Sequence, residues 1–290
     1  VTATGSGSYV GGLVGRNTGA GILNITDSSA GQVTGTASTD QIGGLVGRIK
    51  AGSVTDSRYT FDLQGRNNVG GIVGWLGEGA ATTASVDGSY ATGAINGGSI
   101  VGGVIGHASS NTTLAFGEAG GSDNYFTGSV TAQNNAGGLV GYQDQGTINV
   151  DNNKSTVSSG TVTVKTNSNA SHIGGLVGRS AGAGILNIND SSAGQVTGKV
   201  RSDQVGGLVG RIQTGSITDS QYTFDLLGRN NVGGIAGWLG ENGNSLSVSK
   251  IFTTGDVSAT TNVGGLIGYY DSGETLNLSG SDGSESYATG

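Results

Sequence analysis

The 290-residue chain has no cysteine, no proline and no methionine, and only 11% of its residues are charged. Without cysteine, the protein can form neither disulfides nor cysteine-ligated metal sites, so its stability has to come from packing. The formal net charge of −7 argues against nucleic-acid and anionic-lipid partners, which require clustered basic residues. No apolar run reaches the ~18 residues that span a membrane, so we expect no membrane insertion.

Glycine, by contrast, accounts for 60 residues and follows a pattern. A five-residue phrase of two glycines, two aliphatic residues and a third glycine occurs nine times, at intervals of 27 to 37 residues. Self-similarity at such a period is typical of solenoids and propellers. The phrases begin at Gly11, Gly43, Gly70, Gly102, Gly137, Gly174, Gly206, Gly233 and Gly264.

A longer repeat is superimposed on the first. Residues 10–78 recur as residues 173–241 at a constant offset of 163, and only 15 of the 69 positions differ. Such similarity indicates the duplication of a block. The differences include the three residues 199–201, which are basic or larger where residues 36–38 are small and neutral. We interpret these changes as surface drift.

The repeats predict one continuous domain. We expect residues 1–290 to form a single solenoid made of two tandem blocks, 10–172 and 173–290. The last residues, 286–290, repeat the sequence of residues 89–93, after which another glycine phrase follows in the chain. We therefore expect the array to continue in a longer protein.

The fold class predicted from the repeat unit is all-β. Each unit contains short segments rich in Val, Ile, Thr, Tyr and Ser between Gly, Asn and Asp turns, and none has a helical apolar period. In a typical unit we predict three strands, at residues 31–35, 42–46 and 52–56. Stacking of these strands about 4.8 Å apart would give a parallel β-helix of about nine coils, right-handed as parallel crossovers nearly always are. A propeller is the alternative, but 27 residues are too few for a four-stranded blade.

The two adjacent aliphatic residues of each phrase raise a question about the surface. Neighbouring residues on a strand point to opposite faces, so one of each pair, such as Leu45 and Val46, should face outwards. The resulting apolar stripe would be covered by the same coil or offered to another molecule. We favour cover within the chain, with lateral self-association as the alternative.

The phrase Val-Gly-Gly-Leu-Val-Gly, preceded in one unit by Ser-Tyr-Ala-Thr-Gly at residues 89–93, resembles the GLUG motif repeats of large bacterial exported proteins. The resemblance covers essentially the whole chain. Such repeats occur in filamentous-haemagglutinin-like adhesins and as accessory stalks of some surface proteases. The resemblance therefore implies an extracellular protein, on the bacterial surface or secreted, that acts as an adhesin.

The residue that follows each phrase is planar in all nine units. If the coils are in register, these residues form a ladder of guanidinium and aromatic groups. The ladder could stabilise itself by cation–π contacts or bind the rings of sugars. Its members are Arg16, Arg48, Trp75, His107, Tyr142, Arg179, Arg211, Trp238 and Tyr269.

Catalytic and metal-binding patterns are scarce. His107 and His172 are the only histidines, neither belongs to a His-Glu-x-x-His motif, and no serine nucleophile elbow occurs, so we expect no enzymatic activity and no cofactor. Calcium is the one alternative, because the turns at residues 151–153 and 282–284 offer side-chain oxygens. Neither the nonapeptide calcium repeat nor an EF-hand loop is present.

Three functional classes remain. The first is an adhesin whose solenoid is a stalk or binding shaft, with a host or neighbouring-cell receptor or glycan as partner. The second is a self-associating subunit of an extracellular filament or biofilm matrix. The third, an ice-binding solenoid, requires regular Thr-x-Thr ranks, but such triplets are few and irregularly placed, as at residues 161–163. We prefer the adhesin.

Overall fold

A computed structural model describes residues 1–3, 9–36, 38–79, 81–117, 123–151, 161–165, 172–240, 245–271, 276, 278 and 286–289. Over these ranges the secondary structure is β only, and every strand pair is parallel. No helix of a length and apolarity suited to crossing a membrane occurs within them. Each strand pairs with its equivalent one turn later, which confirms the predicted β-solenoid.

Two nine-stranded sheets contain the glycine phrases and run the length of the solenoid. Nine strands enclose eight complete turns, one fewer than the predicted count of coils. Sheet 1 consists of Val10–Gly11, Asp40–Gly43, Asn67–Gly70, Ile100–Gly102, Asn135–Gly137, His172–Gly174, Asp203–Gly206, Asn230–Gly233 and Thr261–Gly264. Sheet 2 consists of Val14–Arg16, Val46–Ile49, Val73–Gly79, Ile105–Ser110, Val140–Gln143, Val177–Ser180, Val209–Ile212, Ala236–Leu239 and Ile267–Tyr270.

The remaining sides of the solenoid are shorter sheets. Sheet 3 has Leu23–Thr26, Gly52–Thr55 and Ala84–Asp87, and sheet 4 continues this side with Thr113–Phe116, Thr147–Asp151, Ile185–Asn189, Gly215–Thr218 and Leu246–Ser249. Sheet 5 has Arg58–Tyr59, Tyr90–Ala91 and Tyr125–Phe126. Sheet 6 has Leu63–Gln64, Ile95–Asn96, Val130–Ala132, Val162–Val164 and Val196–Thr197. Sheet 7 has Gln221–Tyr222, Phe252–Thr253 and Tyr287–Ala288, and sheet 8 has Leu226–Leu227 and Val257–Ser258.

A turn therefore contains up to five short strands where three were predicted. The strand predicted at residues 52–56 is present as Gly52–Thr55. The segment 31–35 forms only an isolated bridge, between Thr34 and Thr2. The segment 42–46 was wrongly predicted as one strand, since a bend at Gly44 and Leu45 divides it between sheets 1 and 2.

The glycines of the phrase allow the two long sheets to approach each other backbone to backbone. A Cβ atom at Gly43 would lie 2.0 Å from the carbonyl oxygen of Val46, far inside van der Waals contact. One at Gly44 would lie 2.2 Å from the ring of Tyr59. Both positions therefore require glycine because there is no room for a side chain.

The bend also explains the paired aliphatic residues. Strand alternation does not apply across a bend, so Leu45 and Val46 both point into the core, and each has 0% exposure. The pairs of all seven interior phrases are buried in this way, whereas Leu13 of the first phrase is 44% exposed. The predicted apolar stripe is thus covered by the chain itself.

Candidate functional site

The strands of sheet 2 bring the planar residues into one column. Arg16 pairs with Arg48, Arg48 with Trp75, and this register continues without interruption to Tyr269. Parallel pairing places equivalent residues directly above one another at the strand spacing, which suits the stacking of flat groups. We call this column the planar ladder.

The first half of the planar ladder is continuously stacked. The guanidinium carbon of Arg48 lies 4.1 Å from the ring centroid of Trp75. The rings of Trp75 and His107 are 4.9 Å apart at 27°, and those of His107 and Tyr142 are 4.9 Å apart at 24°. Contacts of this kind contribute ~0.5–1.5 kcal/mol each beyond the area they bury.

The second half is less regular. Arg179 lies 5.2 Å from the ring centroid of Tyr142, and Arg211 lies 4.5 Å from that of Trp238. The rings of Trp238 and Tyr269 meet edge to face, at 5.1 Å and 89°. Tyr269, in the last strand of sheet 2, is 37% exposed, whereas Arg211 is buried.

A second column faces the planar ladder, and the sequence interpretation missed it. Its members lie two residues before each glycine phrase, in the strands of sheet 1 or, for Tyr9, directly before the first of them, and most are amides. The guanidinium of Arg16 lies 4.3 Å from the ring centroid of Tyr9, a member of this column. The fixed position before each phrase was a signal in the sequence. The column consists of Tyr9, Gln41, Asn68, Ile100, Asn135, His172, Gln204, Asn231 and Asn262.

His172 shows the electrostatic character of this interface. Burial, together with the positive charges of Arg179 and Arg211, lowers the pKa of His172 to about 3. The ring is therefore neutral at physiological pH, and its Nδ1 lies 2.7 Å from Oδ1 of Asn135. A neutral imidazole adds no repulsion to the two arginines, which makes its role here structural.

Acidic side chains balance the planar ladder at two places. Glu78 contacts Arg48 at 2.5 Å and Lys50 at 3.7 Å. Asp144 Oδ2 lies 3.4 Å from Nε2 of His107. Burial opposes ionisation of Asp144, but hydrogen bonding and charge attraction from His107 outweigh it, so the pKa of this carboxyl is lowered.

The geometry limits what the planar ladder can bind. The ring faces in its first half are covered by neighbours above and below, so a sugar ring could reach only their edges. The two histidines lie in different columns, His107 in the planar ladder and His172 opposite it. Within the described ranges no three His, Asp or Glu side chains are grouped to hold a metal. The predicted calcium turns, at 151–153 and 282–284, lie wholly or partly outside those ranges.

Comparison with known proteins gives one informative similarity. The chain is 38% identical over 128 residues, 40% of its length, to halomucin from Haloquadratum walsbyi (strain DSM 16790 / HBSQ001). The matched part is only 1% of that relative. No known family matches the chain, so membership of the GLUG repeats is not confirmed, and no solved structure matches it. The similarity and the solenoid together fit a repeat segment of a large surface protein.

Proposed function

We propose that this chain is a non-enzymatic shaft segment of an extracellular adhesin, on the cell surface or secreted. The observation that carries the proposal is the continuity of sheets 1 and 2, which pair in register from Val10 to Tyr270. Within the described residues, both sheets also pair across the boundary between the two blocks, at Asn135–Gly137 with His172–Gly174 and at Val140–Gln143 with Val177–Ser180. A rigid segment of this kind holds binding surfaces at fixed distances from one another.

The partner of this shaft is a receptor or a glycan on a host or neighbouring cell. The excess of acidic residues supports a neutral partner over a polyanion. The similarity to a stretch of a very large relative supports a role as one segment among many. Calcium, if bound, would stiffen turns and would not take part in chemistry.

The second candidate function is a self-associating subunit of a filament or biofilm matrix. Apolar rings exposed away from the two ends of the stack favour it, since Phe61 is 43% and Phe224 42% exposed. Terminal strands with unpaired backbone groups are templates for further pairing. Association would then be end to end through the stack.

Light scattering combined with small-angle X-ray scattering over a concentration series tests the proposal. A shaft segment is expected to stay at the monomer mass of 28.4 kDa, with its first and last strands about 40 Å apart over eight turns. Lengthening with concentration would favour the filament. Leu13→Lys, in the bend between the first two strands, serves as the control, because a charge on the first turn should stop end-to-end growth and leave a monomer unchanged.

A further inference from the structure

The outer wall of the solenoid is interrupted once in each block, at equivalent places. Leu63–Gln64 is the first strand of sheet 6, and Thr34, on the preceding turn, bridges to Thr2 instead of pairing with it. One block later, sheet 6 ends at Val196–Thr197 and sheet 8 begins at Leu226–Leu227 on the next turn. Each interruption is an open cleft, with volumes of about 230 Å³ and 390 Å³. We call them the first and the second cleft.

A tyrosine hydroxyl separates the two turns at each cleft. Tyr59 is fully buried, and its hydroxyl accepts a hydrogen bond from Val33 N–H at 2.9 Å and donates to the Asp62 carbonyl at 3.4 Å. It thus occupies the place of a direct bond between turns. In the second block, Tyr222 accepts from Val196 N–H at 2.8 Å in the same way. The clefts are therefore built into the repeat.

The chain is three residues longer beside each cleft than at the equivalent place one turn later. From Val33 to Ile42 the chain advances nine positions, whereas from Leu63 to Val69, which pairs with Ile42, it advances six. The extra residues are 36–38 in the first block and 199–201 in the second. Among them, Lys199 lines the second cleft.

The walls of the first cleft are polar and free to bind. Gln32, Gln64 and Asn96 line it, and their side-chain amides make no hydrogen bond within the described part of the chain. Asp62 is held in place because its Oδ1 accepts from Ala94 N–H at 2.8 Å. Its Oδ2 has no hydrogen-bond partner among the described residues.

These groups fit a neutral, polyhydroxylated ligand. Amides and a carboxylate together donate and accept, as vicinal hydroxyls require. No lysine or arginine is among the described residues that line the first cleft, which disfavours phosphate and other anions. Phe61, 43% exposed, directly precedes Asp62, and its ring lies 5.9 Å from that of Tyr59. An exposed aromatic ring beside polar groups suits the apolar face of a sugar.

The two clefts share a floor and differ at the rim. Among the 15 differences between the blocks, four are consecutive, at 36–39 against 199–202, and a fifth replaces Gln64 by Leu227. Leu227 is 44% exposed and lines the second cleft. A leucine in place of an amide offers contact to a methyl group. Of the four consecutive differences, Lys199 also lines the second cleft.

We propose that the two clefts are tandem sugar-binding sites of different specificity. The first binds a plain hexose unit of a glycan, and the second prefers a unit with a methyl-bearing substituent, such as an N-acetylhexosamine. This proposal deepens the adhesin function by naming its ligand class and its sites. Open clefts near or below the usual ~300–1,000 Å³ of ligand pockets bind weakly, so we expect millimolar dissociation constants for single sugars.

Amide chemical-shift mapping by NMR tests the proposal, with methyl glucoside and methyl N-acetylglucosaminide as probes. Both sugars are expected to shift amides around Thr34 and Asp62. Around Thr197 and Asp225 the N-acetyl sugar should bind more tightly, by roughly threefold to fivefold for one buried methyl group. Shifts confined to the planar ladder, or none at tens of millimolar sugar, would overturn the proposal.

Exchange of the rim residues provides matched controls. Gln64→Leu and Leu227→Gln each introduce the residue already found in the other block, so both variants should fold. The first change should confer the N-acetyl preference and the second should remove it. An unchanged preference in both variants would contradict the assigned role of this position.

A variant of the aspartate separates the two clefts. Asp62→Asn keeps the Oδ1 acceptor for Ala94 N–H but replaces Oδ2 by a donor, so binding should be lost in the first cleft alone. Retained binding there would contradict the role of Asp62. The shaft proposal can fail independently of this one. A chain that stays monomeric in light scattering but shows no sugar-induced shifts would support the shaft and contradict the sugar sites. A chain that grows with concentration but shows shifts at the clefts would contradict the shaft and support the sugar sites.

Discussion

The two copies of the repeated block, residues 10–78 and 173–241, share an aliphatic core and differ most at one short segment. Four of the 15 differences exchange one buried aliphatic residue for another, as at Val54 and Ile217, while residues 36–39 and 199–202 differ at every position. The tightest backbone contact is the same in both blocks, since a Cβ atom at Gly43 or Gly206 would lie 2.0 Å from the carbonyl oxygen of Val46 or Val209. The comparison teaches that the repeat fixes the stack and leaves the rim of the clefts free to change.

The largest expected effect comes from a side chain placed in the glycine contact. Gly43→Ala and Gly206→Ala each put a Cβ 2.0 Å from a carbonyl oxygen, so either should destabilise the protein by ~3 kcal/mol or more. Urea unfolding followed by circular dichroism measures this loss. Gly31→Ala, with no heavy atom within 4 Å, is the control and should change little. If the two variants lost very different amounts of unfolding free energy, the two blocks would not be structurally equivalent at this contact.

A smaller effect is expected from the tyrosine hydroxyls. Tyr59→Phe and Tyr222→Phe keep the ring but leave the N–H of Val33 or Val196 without its acceptor, which should cost ~1–3 kcal/mol in either block. The same unfolding measurement applies. Amide exchange at Val33 and Val196 should accelerate in the corresponding variant only. Equal stability of variant and parent would mean that the hydroxyl does not hold the turns together.

The smallest effect is the pH dependence of stability that results from His172. This residue occupies the position that Tyr9 has before the first block. The pKa of His172 is lowered to about 3 in the folded protein, below its ordinary value near 6.5. The unfolded chain therefore takes up a proton first, and stability falls as the pH drops below about 6.5, at ~1.4 kcal/mol per pH unit. Between pH 7 and 5.5 we expect a loss of about 1.4 kcal/mol, measured by urea unfolding.

A matched variant isolates this contribution. His172→Gln keeps a side-chain donor near Asn135 and does not titrate, so its stability should be flatter over the same pH range. An imidazole signal of His172 that titrates between pH 5 and 8 in NMR spectra would contradict the lowered pKa.

Much of the fold was predictable from spacing. The nine phrases gave the parallel solenoid and the number of strands in its long sheets, because a strand must pair with its equivalent one turn later. The division of residues 42–46 between two sheets was not predictable, since it depends on the contact between Gly44 and the distant ring of Tyr59. The predicted number of three strands per turn was wrong for the same reason.

The sequence predicts that the planar residues form a column, but it does not predict what surrounds them. Burial of Arg211 and the neutral state of His172 follow from sheet 1 lying against sheet 2, which no local pattern encodes. The clefts were visible in the sequence only as clustered differences at 36–39. The clefts themselves could be recognised only from the structure, which places the Tyr59 hydroxyl between two turns.

The broken outer wall also has a mechanical consequence. Tension along the solenoid axis loads the bonds between turns, and sheets 1 and 2 carry that load without interruption. At Val33 and Val196 a tyrosine hydroxyl stands in for a direct bond between turns, so fewer links share the load there. Under tension, the described part of the solenoid should yield first at these two joints, and any molecule bound across a cleft would strengthen the joint it spans.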